Sequence, residues 1–229
     1  MKKDLLRIED PLYPFYVIAE EEEKNLEAIV FIHGLGENRS GLNYVFAELG
    51  HKLFKENFNT YRFDLSGCGD NPHPLDIDIW KSQLNGLLSY LNCYEKIHIV
   101  GRGIGRIIIP LDYKKGRVLL LNKCTFDAHS SGLTHIGEFF EFESHIEPAN
   151  VLTDIEKDFW LNLSIEPECI GGISISMSFM EDVKQRLSAP INCSWKYFDD
   201  YFSPKDLLYR YKTERDHLFK FFMEVLNED

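Results

Sequence analysis

Apolar positions along this chain fall into continuous runs and helical stripes, and the two alternate. Residues 4–23 read as two short extended segments interrupted at Pro11 and Pro14, the second running from Phe15 to Ala19. Proline is tolerated at a sheet edge, so an antiparallel edge pair is expected. The acidic run from Glu20 to Glu23 is expected as a solvated turn. Ala28 to His33 is unbroken by polar residues until its end, as in a central strand covered on both faces. Residues 41–56 place Leu42, Val45, Phe46, Leu49 and Leu53 at helical spacing. Thr60 to Asp64 is the next strand. Residues 76–92 form a second amphipathic helix through Ile79, Trp80, Leu84, Leu87, Leu88 and Leu91. Asp76 and Asp78 flank its start, where carboxylates suit the helix dipole. A strand from Lys96 to Val100, a short helix and a strand from Arg117 to Asn122 follow. Strands alternating with helices imply βαβ units and a mostly parallel sheet with helices on both faces, an α/β fold.

The rhythm breaks between Phe126 and Leu187, where Glu-rich and aromatic segments meet a Gly171-Gly172 hinge. We read residues 1–125 and 189–229 as one α/β core and residues 126–188 as an inserted, mostly helical cap. The sheet is expected to resume at Asn192–Phe198 and again at Leu207–Lys212. A last helix, Asp216 to Leu226, puts Leu218, Phe221, Phe222 and Val225 on one side.

Composition narrows the function classes. The chain has 229 residues, 44% of them hydrophobic, a net charge of −12 and a pI of about 5.1. That field repels phosphate backbones and no basic stripe overrides it, which argues against nucleic-acid binding. Five cysteines, odd in number and without a C-x-x-C pair, fit a reducing compartment better than a disulfide framework. No apolar leader or membrane-length apolar run is visible, so a cytoplasmic location is expected.

Three motifs stand at the carboxyl ends of the expected central strands. His33-Gly34-Leu35-Gly36 follows the first. Arg62-Phe63-Asp64, continuing to Gly67, Gly69 and Asp70, follows the second. Gly101-Arg102-Gly103-Ile104-Gly105 follows the third. A strand turning into a helix through glycines is the frame of the nucleophile elbow G-x-S-x-G, with Gly103 in the place of the serine. A dinucleotide site is the competing reading of these glycines. It fails because the third glycine comes one residue early and no acidic residue ends the next strand. His129, His135 and His145, with Glu138, Glu141 and Glu143 between them, lack metal-ligand spacing and read as a polar cap surface. No metal or cofactor is expected. The three isoleucines before Pro110 predict a short or kinked helix after the elbow.

With these three motifs in register, the chain resembles the α/β-hydrolase superfamily, in particular its small capped serine esterases, thioesterases and lipase-like members. The resemblance covers most of residues 26–125 and 190–227. It implies an oxyanion hole from the backbone N–H groups of Leu35 and Ile104. It implies a catalytic acid at Asp200, four residues before Pro204, or at Asp199 if the register shifts by one. The histidine would be His217, just before the last helix. The nucleophile is absent, since Gly103 has no side chain. Cys68 and Ser66 read as small buried side chains rather than replacements for it. The resemblance thus implies an inactive homologue or inactivated variant of an acyl ester or thioester hydrolase, keeping a pocket for a small acyl or ester-like ligand. Two alternatives stand: an active hydrolase using Asp200 and His217 with water or another nucleophile, and a scaffold that binds a protein partner.

Overall fold

The computed structural model describes residues 2–10, 12–35, 37–41, 44–121, 169–170, 173–174, 176–187, 194–198 and 211–228. Nine strands and four α-helices occur among them. They are β1 Lys2–Ile8, β2 Phe15–Glu21, β3 Glu27–Ile32, α1 Val45–Lys55, β4 Phe58–Phe63, α2 Ile77–Tyr90 and β5 Lys96–Arg102. After these come β6 Val118–Leu121, β7 Cys169–Ile170, β8 Ile173–Ser174, α3 Met177–Leu187, β9 Lys196–Phe198 and α4 Tyr211–Leu226. Seven strands form one sheet in the order β1-β2-β4-β3-β5-β6-β9, and β7 and β8 pair separately. The five strands from β4 to β9 run parallel, while β1 and β2 make the expected antiparallel edge.

The pleat of β3 explains its unbroken apolar run. Ala28, Val30 and Ile32 enter a cluster with Trp80, Leu84 and Leu87 of α2 and with Phe179 and Val183 of α3. Ile29 and Phe31 point the other way, into a cluster with Val45, Phe46, Leu49 and Leu53 of α1 and Leu218, Phe222 and Val225 of α4. Both faces are covered, so neither phase of the alternation is polar. Residues 177–187 fall inside the range assigned from sequence to the cap. In the structure α3 instead packs on the core, with the Phe179 ring edge-on to Trp80. The rest of the expected cap lies largely outside the described residues. No helix among the described residues is long and apolar enough to cross a membrane.

Asp76 caps α2 through its side chain, accepting the N–H groups of Asp78 and Ile79 at 2.8 and 3.0 Å. The acidic run, whose first two residues Glu20 and Glu21 end β2, departs from the expected solvated turn. Glu20 is 1% exposed and pairs with Arg62, His51 and Lys3, and Glu21 accepts a 2.7 Å hydrogen bond from the Tyr61 hydroxyl. Burial of a carboxylate is tolerated where cations surround it.

Gly50 lies within α1, where a Cβ would meet Arg62 Nε and Thr60 Oγ1 at 3.5 Å and Phe31 Cε2 at 3.6 Å, ordinary contact distances. Gly50→Ala is therefore expected to stabilise the protein by about 0.5–1 kcal/mol, through the lower helix propensity of glycine. A urea midpoint below that of the parent would contradict this packing of α1.

Candidate functional site

The winding of the sheet decides where a site can form. From β3 the chain crosses through α1 to β4 on one side; from β4 it returns through α2 to β5 on the other side of β3. Right-handed crossovers in opposite directions put α1 and α2 on opposite faces. The carboxyl ends of β3 and β5 therefore border a topological switch point, the place where open α/β sheets bind ligands. The turn of His33, Gly34 and Leu35 leaves β3 there, and Gly103 follows β5 directly beside it.

The chain turns at Gly103, whose φ is +52°, between β5 and a six-residue 3₁₀ helix, Gly103–Ile108. This is the left-handed region that an elbow imposes on its nucleophile and that glycine adopts without cost. The flanking glycines are fixed by close approach. A Cβ on Gly105 would lie 2.2 Å from the His33 carbonyl oxygen, and one on Gly101 would lie 2.9 Å from Ile109 Cδ1 and 3.0 Å from Leu120 Cδ2. The helix is short, as the isoleucine run predicts, and ends before Pro110. Ile104 is fully buried at its start.

His33 is also fully buried, and both ring nitrogens are engaged. Nε2 accepts the Leu65 N–H at 3.0 Å, and Nδ1–H donates to the Gly34 carbonyl at 2.7 Å. That pattern requires the neutral ring protonated on Nδ1. Burial is the main cause that holds its pKa down to about 4, with Arg102 adding in the same direction against Gly34 and Asp64. His33 is thus a clamp between the turn after β3 and the loop after β4.

That second loop is equally restrained. The Asp64 carboxylate accepts the backbone N–H groups of Arg39 and Asp70 and pairs with the Arg39 guanidinium. Gly69, at φ +55°, leaves no room for a Cβ against the same carboxylate. Trp80 Nε1 donates to the Ser66 carbonyl at 2.8 Å, and Gln83 Oε1 accepts the Ser66 N–H at 2.9 Å. Cys68 is 3% exposed and Ser66 fully buried.

The expected acid and base fare differently. Asp199 and Asp200 lie outside the described residues. His217, expected just before the last helix, lies inside α4, which begins at Tyr211. Its side chain is exposed, between Asp216, which binds Lys52 of α1 at 2.9 Å, and Leu218, which is buried. Tyr211 and Lys212, expected at the end of a strand, are the first residues of that helix, and residues 207–210 lie outside the described set. Sequence reading missed the Glu37–Arg102 pair, which joins the turn after β3 to the elbow. No spacing rule links two charged residues so far apart in the chain. Among the described residues no group of histidine, cysteine or acidic side chains could hold a metal ion.

Strand order and winding are those of an α/β-hydrolase fold. No protein-family model and no curated protein matches the sequence. Among solved structures, DcsB in complex with its substrate analogue aligns over 99% of this chain and 100% of its own, with a TM-score of 0.62 and 10% identity. A thioesterase domain from the curacin biosynthetic pathway aligns over 57% of this chain at 13% identity, with a TM-score of 0.47. The lidless α/β serine hydrolase XC6422 from Xanthomonas campestris aligns over 56% at 14% identity, with a TM-score of 0.46. The matches span 48% and 66% of those two chains. At these identities the likeness is one of fold.

Proposed function

We propose that this chain descends from serine acyl-ester or thioester hydrolases and has lost the covalent reaction, keeping a site for a small acyl or ester-like ligand at the switch point. One observation carries the reading. Gly103 occupies the left-handed turn between β5 and the 3₁₀ helix, with Gly101 and Gly105 closely packed on either side and the His33 turn locked beside it. Acyl transfer through a triad needs a hydroxyl or thiol at that turn, and glycine offers none. The backbone N–H groups of Leu35 and Ile104 are the proposed contacts for a ligand carbonyl oxygen.

Turnover by the protein as it stands would require Asp200 and His217 to act with water or another nucleophile. The exposure of His217 on α4 lends that reading no support. The test is hydrolysis of short p-nitrophenyl esters and acyl thioesters by the parent and by Gly103→Ser. The parent is expected to be inert and the serine variant to gain turnover. A serine side chain at φ +52° is also expected to cost about 1 kcal/mol of stability. Activity in the parent that His217→Ala abolishes would overturn the proposal in favour of that route.

A further inference from the structure

Beyond the His33 clamp, a second device ties the turn after β3 to the elbow. Arg102 directly precedes Gly103 and is 2% exposed, so its guanidinium must be met by an anion within the protein. Glu37, at the end of the turn and 11% exposed, supplies it: Glu37 Oε1 contacts Arg102 Nη1. The other oxygen, Oε2, accepts the Gly34 N–H at 3.3 Å, and the Glu37 N–H donates to the Gly34 carbonyl at 3.3 Å. A single carboxylate thus holds the first amide of the turn with one oxygen and the residue before the elbow with the other.

We propose that Glu37, with Arg102 as its counter-ion, is a positioning residue that fixes the His33-Gly34-Leu35 turn relative to the Gly103 junction. Charge-assisted bonds of this kind have narrow geometry, and burial strengthens them. The close approach of Gly105 to the His33 carbonyl sets the separation of the two segments. It leaves the tilt of the turn free, and the Glu37–Arg102 pair restrains that tilt. The inference concerns the geometry of the turn and stands whether or not the site ever turns a substrate over.

The test is amide hydrogen exchange by NMR. Ile97 and Ile99 of β5 serve as internal references, because their N–H groups donate to the Lys115 and Arg117 carbonyls just ahead of β6. Glu37→Gln leaves Arg102 without its anion and so costs some global stability; exchange at Gly34 is expected to speed by about tenfold or more beyond any change at the references. Arg102→Met should reproduce that pattern, and Arg102→Lys, which keeps the charge, should restore most of the protection. Unchanged exchange at Gly34 in Glu37→Gln would overturn the proposal. So would an equal loss at Ile97 and Ile99, because that marks a general contribution to stability. A second readout adds Glu37→Gln to Gly103→Ser and follows fluorophosphonate labelling. A slower labelling rate of the folded double variant is expected. If Gly103→Ser takes no label at all, the functional reading fails, and the exchange experiment still decides the role of Glu37.

Discussion

Gly105→Ala is expected to destabilise the protein by about 3 kcal/mol, the upper part of the range for forcing extra volume into a packed interior. The added methyl would sit 2.2 Å from the His33 carbonyl oxygen, 3.1 Å from its carbon and 2.9 Å from Ile32 Cγ2. Two of these are backbone atoms at the end of β3, so no rotamer change relieves the clash. The elbow and the turn after β3 must separate, which also disturbs the His33 and Glu37 contacts. Urea denaturation of parent and variant measures the effect. A loss below about 1 kcal/mol would mean that the two segments are not in this close contact. Gly50→Ala is the control from the same protein, predicted with the opposite sign because the space beside it is open to a methyl.

The second large effect is acid sensitivity centred on His33. Its pKa is about 4 in the folded protein, against an ordinary histidine value near 6.5. Between these values the unfolded chain binds a proton that the folded protein refuses, so stability falls as pH is lowered from 6.5 to 4 and this contribution levels off below. Integrated over that window the loss is about 3 kcal/mol. His98 adds in the same direction: burial is the main cause lowering its pKa, opposed by its contact with Glu27. His33→Leu leaves the Leu65 N–H without its partner and removes one of the two donors to the Gly34 carbonyl, so it should be less stable at neutral pH. It should also show a shallower decline between pH 6.5 and 4. Carboxylates titrate in both proteins, and the difference between the two curves isolates the histidine. Parallel curves would contradict a neutral, doubly bonded His33.

How much of this was legible in the sequence differs by segment, for physical reasons. The central strands could be read because both sheet faces are covered, which makes β3 apolar without interruption from Ala28 to Ile32 and leaves His98 as the one polar residue between Ile97 and Val100 of β5. Gly105 could be read because the His33 carbonyl approaches too closely to admit a Cβ. The start of α4 could not. Leu207 to Lys212 is rich in aromatic and aliphatic residues and resembles a strand by local preference, yet helix begins at Tyr211. Contacts with α1 decide the outcome, through Leu218, Phe222 and Val225 in one cluster and the Arg215–Glu48 and Lys52–Asp216 pairs beside it. Those partners lie far away in sequence, and tertiary packing outweighs local propensity. His217, expected just before the last helix, stands on the exposed side of that helix for the same reason. The acidic run misled in the opposite sense. Glu20 looked like a surface charge, but the cations that make its burial tolerable, Arg62 above all, come from other strands and helices.

The account rests on Gly103 standing where a nucleophile would stand in a turn that is otherwise intact. Intact-mass analysis after fluorophosphonate treatment tests this most directly, comparing the parent with Gly103→Ser and mapping any adduct by peptide. The account predicts no adduct on the parent and a single adduct on residue 103 of the serine variant. An adduct on the parent, or a folded serine variant that stays unlabelled, would contradict it.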